Sequence, residues 1–180
     1  MTRVLLGAGA SAALHKGCDL ASKLTQAGFE VRAVLTPRAA ELIHPQLFEA
    51  VTGEPAWVTE FGSERRSAMD HIDLADWAEV AVVAPCSGDL LSRIALGLAG
   101  DLLGSVLLAL PATKPRLLCP AMNPHMFQAP PLRRHLDQVR EDGWRVLEPE
   151  EGHLACGVQG RGRLVEVEEI LTAVRELCPS

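Results

Sequence analysis

The chain has 180 residues, a formal net charge of −6 and a hydrophobic fraction of 48%. This length suits one domain with a substantial core, and the composition excludes a mainly disordered chain. The acidic balance, with no basic stripe, argues against nucleic acid as a partner. No apolar run reaches the ~20 residues of a membrane helix. The first predicted strand begins without a signal peptide, so we expect a cytoplasmic protein that binds no membrane.

The chain contains five cysteines, an odd number, and none of them belongs to a CxxC pair. This pattern favours neither a disulfide framework nor a zinc site, and we expect no bound metal. Cys86 and Cys119 follow apolar runs and are interpreted as small core residues. Cys156 lies in a glycine-rich segment and is interpreted differently below.

The first predicted unit is a strand at 3–9 followed by a helix at 10–26, with Gly28 as its C-terminal cap. A helix N-terminus that follows a small-residue turn favours a phosphate through its free N–H groups and its dipole. The dinucleotide pattern GxGxxG is incomplete, because Ala12 stands at its third glycine. The unit therefore predicts a mononucleotide phosphate site, with an ordinary strand–helix turn as the alternative.

Two more predicted strands end in candidate ligand turns. The strand at 29–35 ends at Thr36, whose hydroxyl either caps the next helix or contacts a ligand. The strand at 80–84 is a continuous run of Val and Ala, which is typical of a parallel strand buried on both faces. It ends in the small polar turn 85–89, which opens another helix.

The fourth predicted strand, 116–119, leads into the segment PAMNPHM at 120–126. Its Asn123 is placed at the carboxyl end of a strand, where open α/β sheets bind their ligands. An amide both donates and accepts hydrogen bonds, so it can orient a small ligand. The alternative is that Asn123 only caps the following helix.

A histidine follows the least regular part of the chain, residues 54–70. A lone histidine is more often structural than catalytic, but the position of His71 after a long polar loop favours function. Beyond the PAMNPHM segment we predict a helix at 132–141, a strand at 144–147 and a closing helix at 167–177.

Strands and helices alternate along the whole chain. This predicts an α/β protein, a three-layer α/β/α sandwich with a mostly parallel, Rossmann- or flavodoxin-like sheet, and a single domain over 1–180. In such a sheet the four strand-end turns open at one edge. The glycine-rich segment at about 149–163 predicts a flap near that edge, and we call it the flap below.

Four segments resemble a known family, the flavin-containing cysteine decarboxylases. They are PAMNPHM at 120–126, HIDLADWAE at 71–79, APCSGDLLSRIALGLAGDLL at 84–103 and ACGVQGRGR at 155–163. With weaker support from AELIHPQLFEAVTGEP at 40–55, they are distributed in order over residues 40–163, and PAMNPHM together with ACGVQGRGR is a specific combination. The resemblance implies FMN as the cofactor and, as the reaction, decarboxylation of 4′-phosphopantothenoylcysteine to 4′-phosphopantetheine in coenzyme A biosynthesis.

The resemblance also implies roles for particular residues. His71 is expected to act as a base or proton shuttle, and Cys156 to protonate the product enethiolate. Asn123 and Met126 are expected to contact the substrate. The expected flavin contacts are Ser11, Thr36, Ser87, Gly88, Asp89, Leu90 and Ala121.

The sequence departs from the family pattern at three places. Ala10 and His15 replace the usual residues of the first turn, Cys86 to Asp89 differ from the usual second flavin turn, and Gly100 replaces an amide. The family is typically trimeric or a multiple of trimers, so we expect a homo-oligomer. In many bacteria it is fused to a synthetase domain, whose activity we expect to be absent from this chain.

Three other functions were considered. A peptidyl-cysteine decarboxylase is the nearest, and the ACG flap motif argues against it. A non-catalytic flavoprotein regulator would have no need for His71, Asn123 and Cys156 together. A flavin prenyltransferase would need a basic and aromatic site, which the PAMN and ACG motifs do not supply.

Overall fold

The computed structural model describes residues 1–61, 66–153, 157 and 159–178. Within them, parallel strands form a central sheet whose order is β2-β1-β3-β4-β5. This is the flavodoxin-like doubly wound order, so the predicted fold class is confirmed. The strands are β1 (Arg3–Ala8), β2 (Glu30–Leu35), β3 (Val80–Cys86), β4 (Arg116–Pro120) and β5 (Arg145–Val146).

Helices connect these strands and cover both faces of the sheet. Each helix in the described part of the chain falls short of the length and apolarity needed to cross a membrane. The helices are α1 (Leu14–Gln26), α2 (Pro37–Leu42), α3 (Gln46–Thr52), α4 (Asp70–Trp77), α5 (Gly88–Ala95), α6 (Leu102–Ala109), α7 (Pro124–Gln128), α8 (Pro130–Glu141) and α9 (Val167–Leu177).

The sheet separates two hydrophobic cores. Val4 and Leu6 of β1 face the core shared with α1, α3 and α9. Leu5, between them, faces the core shared with α4, α5, α6 and α8. Successive side chains of a strand point to opposite faces, and every residue of β3 is buried. The run of Val and Ala in the sequence follows from this double burial.

Polar residues at the strand ends cap the helices that follow. The Thr36 hydroxyl accepts a hydrogen bond from the Ala39 N–H at 3.1 Å, and the Ser87 hydroxyl accepts one from the Leu90 N–H at 3.3 Å. Asn123 Oδ1 accepts one from the His125 N–H at 2.8 Å. Each cap satisfies one donor of a helix start, so β2, β3 and β4 all end in fixed turns at the same edge.

The start of α1 and the presence of α7 differ from the sequence-based expectations, whereas one predicted helix cap agrees with them. Helix α1 begins at Leu14 rather than residue 10, because Gly9 donates its N–H to the Pro85 carbonyl at 2.9 Å and the chain is still turning there. The short helix α7 was not predicted separately. The Gly28 cap is confirmed, since its φ of 90° is the left-handed conformation that glycine adopts readily.

The described part of the flap is an antiparallel hairpin. Its strands are β6 (Glu150–His153) and β7 (Gln159–Arg163). Strand β7 packs against α7, the helix that follows β4. The flap therefore reaches the carboxyl edge of the main sheet, which agrees with the position predicted for it.

Candidate active site

A cavity of about 390 Å³ opens at the carboxyl edge of the sheet. Its size falls within the ~300–1,000 Å³ typical of small-molecule sites. The turns that follow β1, β3 and β4 meet there with the end of the flap. The lining residues are Ala10, Ser11, Ala12, Ala13, His15, Lys16, Ser87, Gly88, Ala121, Met122, Asn123, Met126, Gly162, Arg163 and Leu164.

Two helix N-termini border this cavity. The first turn of α1 contributes His15 and Lys16, and Ser87 and Gly88 form the start of α5. The first N–H groups of a helix have no intrahelical acceptor and carry partial positive charge. The cavity is therefore suited to an anionic group beside these turns.

Two methionines close the cavity on the side of α7. A Cβ atom placed on Gly88 would lie 3.0 Å from Met126 Cε and 3.5 Å from Met122 Sδ. Glycine at this position thus lets both thioether side chains approach the start of α5. Met122 is 8% exposed and belongs to the core, whereas Met126 is 47% exposed. Soft apolar groups of this kind suit contact with a flat ring or an alkyl chain.

The flap is attached to the turn after β4 by its backbone. The Met122 N–H donates to the Gly162 carbonyl at 3.0 Å. A Cβ atom on Gly160 would lie 2.9 Å from Pro124 Cγ, so this glycine also permits close packing. From the other side, the Ser11 hydroxyl donates to the Ala121 carbonyl at 3.3 Å. Three distant parts of the sequence are therefore held around one turn.

Two cations line the cavity, and one carboxylate lies between them. Lys16 Nζ donates to Glu166 Oε2 at 3.2 Å, and Arg163 donates to Glu166 Oε1. Two positive charges against one negative charge leave this wall locally positive. Together with the α1 N-terminus, that excess favours a phosphate or carboxylate ligand.

His71 does not line this cavity. It lies in the first turn of α4, and its Nδ1 is 2.7 Å from Glu60 Oε1. The other carboxylate oxygen of Glu60 accepts a hydrogen bond from the Ser105 hydroxyl at 3.0 Å. Sequence reasoning selected the histidine and missed its acidic neighbour, because Glu60 belongs to the irregular segment without any motif.

The structure brings six of the predicted site residues together in the cavity and, besides His71, places three elsewhere. Inside are Ser11, Ser87, Gly88, Ala121, Asn123 and Met126. Thr36 is buried as the α2 cap, Asp89 pairs with Arg93, and Leu90 is a core residue. These three residues, which were expected to contact the flavin, do not line the cavity. Cys156 lies outside the described residues.

Two buried thiols near the sheet edge are not candidate nucleophiles or acids. Burial raises the pKa of the Cys86 thiol well above its ordinary value, and burial likewise raises the pKa of the Cys119 thiol. Both remain protonated and are enclosed in the core at 0% exposure. Their interpretation as small apolar core residues agrees with this environment.

Lys16 and Arg163 are the charged cavity residues that sequence reasoning did not assign to the site. In the sequence, each of these two residues occupies a position that indicates the site. Lys16 follows the small-residue turn by a few positions, within the first turn of a helix already predicted to bind an anion. Arg163 ends the glycine-rich flap that was expected near the same edge.

The chain belongs to the flavoprotein family, whose model, described as Flavoprotein, matches residues 1–178. The coenzyme A biosynthesis bifunctional protein CoaBC of Bacillus subtilis is 40% identical over 168 residues, which are 93% of this chain and 41% of that protein. The chain thus spans about two fifths of that relative's length. The Probable phosphopantothenoylcysteine decarboxylase of Streptococcus mutans is 30% identical over 174 residues, 97% of each chain.

Solved structures give the same relationship. A PPC decarboxylase with a cysteine-to-serine substitution, complexed with pantothenoylaminoethenethiol, has a TM-score of 0.84 and 33% identity over 99% of each chain. The FMN-dependent cysteine decarboxylase SpaF has a TM-score of 0.83 and 32% identity, covering 98% of this chain and 97% of its own. The resemblance to flavin-containing cysteine decarboxylases is confirmed.

We expect Gly162→Ala to weaken the attachment of the flap. The added Cβ would overlap the Met122 carbonyl oxygen, and both groups are backbone or fixed to it, so neither can move aside easily. Overpacking of this kind costs about 1–3 kcal/mol, measured here as the free energy of unfolding in urea.

Gly100→Ala is the matched control, because a Cβ there meets nothing within 4 Å and the glycine has no positive φ. It should change the free energy of unfolding by no more than about 0.5 kcal/mol. Equal stability of the two variants would contradict the proposed attachment through Gly162.

Proposed function

We propose that this chain is an FMN-dependent decarboxylase that converts 4′-phosphopantothenoylcysteine to 4′-phosphopantetheine in coenzyme A biosynthesis. The observation that carries the proposal is the position of Asn123 and Met126 beside a cavity with two helix N-termini and a positive wall. The names of the B. subtilis and S. mutans relatives support the pathway and the substrate. As one functional domain over 1–180, it would act in the cytoplasm.

The residues of the cavity fit a flavin mononucleotide. The Ser87 hydroxyl and the adjoining helix starts supply hydrogen-bond donors for a phosphate, Ser11 lines the same turn, and Lys16 adds a positive charge. Met122 and Gly88 offer a flat apolar wall for the ring system. When bound, FMN would supply the two-electron oxidation of the cysteinyl thiol and return the electrons after CO2 has left.

The residues of the chain would then orient the substrate and move protons. Oxidation makes the cysteinyl carbon a thioaldehyde, so that the carboxylate lies β to a C=S group and can leave as CO2. Asn123 would hold this carboxylate or the neighbouring amide by hydrogen bonds. His71 would take up a proton during oxidation, and Cys156 would return one to the enethiolate. The solved PPC decarboxylase mutant holds such an enethiol.

We further propose that the protein is a homo-oligomer, a trimer or a multiple of trimers, in which His71 serves the cavity of a neighbouring copy. In one chain His71 lies outside the cavity. Large apolar residues that adjoin its surroundings are exposed: Phe61 at 80%, Met69 at 54% and Leu108 at 62%. Such a surface is suited to burial against another copy.

The decisive experiment is incubation of the purified protein, loaded with FMN, with 4′-phosphopantothenoylcysteine. We expect a yellow protein and a product lighter by CO2, detected by mass spectrometry. A peptide ending in cysteine should not react; preferential turnover of the peptide would instead indicate a peptidyl-cysteine decarboxylase. A protein that stays colourless after addition of FMN would contradict the proposal.

Asn123→Asp separates substrate binding from helix capping. Aspartate caps a helix as well as asparagine does, so the free energy of unfolding should stay within about 0.5 kcal/mol. Its carboxylate, however, would repel the substrate carboxylate, and kcat/KM for decarboxylation should fall by about 100-fold or more. An unchanged kcat/KM would contradict a substrate-binding role for Asn123.

Shared sites can be tested by combining two defective variants. His71→Asn and Asn123→Asp, each expressed alone, should show little decarboxylation. When they are coexpressed with different tags and purified as mixed trimers, about a third of the sites should combine an intact His71 with an intact Asn123. Recovery of activity is expected only if the two residues come from different copies, and mixed oligomers without activity would contradict the arrangement.

A further inference from the structure

The carboxylate of Glu60 is held between two side chains from different helices. Its Oε1 lies 2.7 Å from His71 Nδ1 on α4, and its Oε2 accepts from the Ser105 hydroxyl on α6 at 3.0 Å. The Glu60 and His71 side chains are only 16% and 24% exposed. Helices α4 and α6 pack against each other, so the distance between the histidine and the serine is set by the fold.

His71 Nδ1 is buried, and no hydrogen bond of good geometry satisfies it among the described residues. The nearby Glu60 oxygen is within hydrogen-bond distance but is not well aligned with the ring N–H. A buried polar nitrogen without a partner is unfavourable. The Glu60 carboxylate, 2.7 Å away, is the acceptor placed beside this nitrogen.

A carboxylate beside one imidazole nitrogen determines where the ring proton resides. Ionised Glu60 is only an acceptor, so the proton of a neutral His71 ring is favoured on Nδ1. The lone pair is then on Nε2, which is the nitrogen free to take a proton. The same carboxylate stabilises the imidazolium that forms.

We infer that Glu60 is a positioning residue for His71: it fixes the Nδ1–H tautomer and the ring orientation, while Ser105 holds the carboxylate in place. The inference rests on the proposed function, in which His71 is the base. Glu60 Oε1 is 2.7 Å from His71 Nδ1 and its side chain is only 16% exposed, so its effect on catalysis is exerted through His71.

Glu60→Gln tests this role with almost no change in size. In the variant the Ser105 hydroxyl can hold the amide oxygen, which turns the NH2 group toward His71 Nδ1 and favours the opposite tautomer. We expect kcat for decarboxylation to fall about 10- to 100-fold, as for other residues that orient a functional histidine. KM and the flavin absorption spectrum should stay unchanged, because the cavity is intact.

The tautomer can also be observed without turnover. In FMN-loaded protein labelled with 15N-histidine, the His71 signals are identified as those lost in His71→Asn, among the six histidines of the chain. At pH 8.5, where an ordinary imidazole is neutral, the wild type should carry its proton on Nδ1. Glu60→Gln should shift it toward Nε2, and identical spectra would overturn the inference.

Glu79→Gln is the matched control. Glu79 also forms an ion pair, with Arg3 at 3.5 Å, but it precedes β3 at the edge of the sheet opposite the strand-end turns, and its side chain is 47% exposed. It should retain kcat within about twofold. Ser105→Ala provides a second variant if Glu60→Gln folds poorly; it leaves the carboxylate in place without its anchor, and kcat should fall by a smaller factor.

The outcomes separate this inference from the proposed function. If the wild type releases no CO2, the proposed function is wrong and the catalytic role of Glu60 fails with it. If His71→Asn is inactive while Glu60→Gln and Ser105→Ala keep the full kcat, the function stands and the positioning role is overturned. A lower kcat with unchanged KM in Glu60→Gln, together with the tautomer shift, supports both.

Discussion

The parallel pairing of β1, β3 and β4 is the constraint on which the site depends. Parallel neighbours end at the same edge of a sheet, so the turns at 9–13, 87–88 and 121–123 must meet although they are far apart in the sequence. The buried runs of Val, Leu and Ala that stabilise these strands are therefore also what assembles the cavity. A one-residue shift in the pairing of one strand would exchange the side chains that face the two cores and would displace its turn.

The turn after β4 connects the sheet to the flap. Met122 donates its backbone N–H to the Gly162 carbonyl, and Gly160 allows Pro124 to pack closely against β7. Side chains at these two glycines would separate the hairpin from the turn. Gly160 and Gly162 thus have a packing role, in addition to any conformational freedom.

The charged groups discussed above lie in two separate places, the cavity wall and the His71–Glu60 pair. The cavity wall combines Lys16 and Arg163 with one carboxylate, Glu166, and so retains positive charge for an anion. The pair of His71 and Glu60 lies outside that wall, on the face formed by α4 and α6. Under the proposed function, anion binding and proton transfer would fall to different elements, which is the arrangement expected if one copy supplies the histidine to another's cavity.

The sequence by itself determined the fold class and most of the turns, because buried parallel strands and helix caps leave local patterns. Asn123 and Ser87 could be selected in this way, since each directly follows an apolar run. Only the tertiary structure decided that Thr36 remains a cap outside the cavity, and that Glu60 meets His71. Those outcomes depend on how elements distant in sequence pack together, and no pattern within a short window of residues encodes such distances.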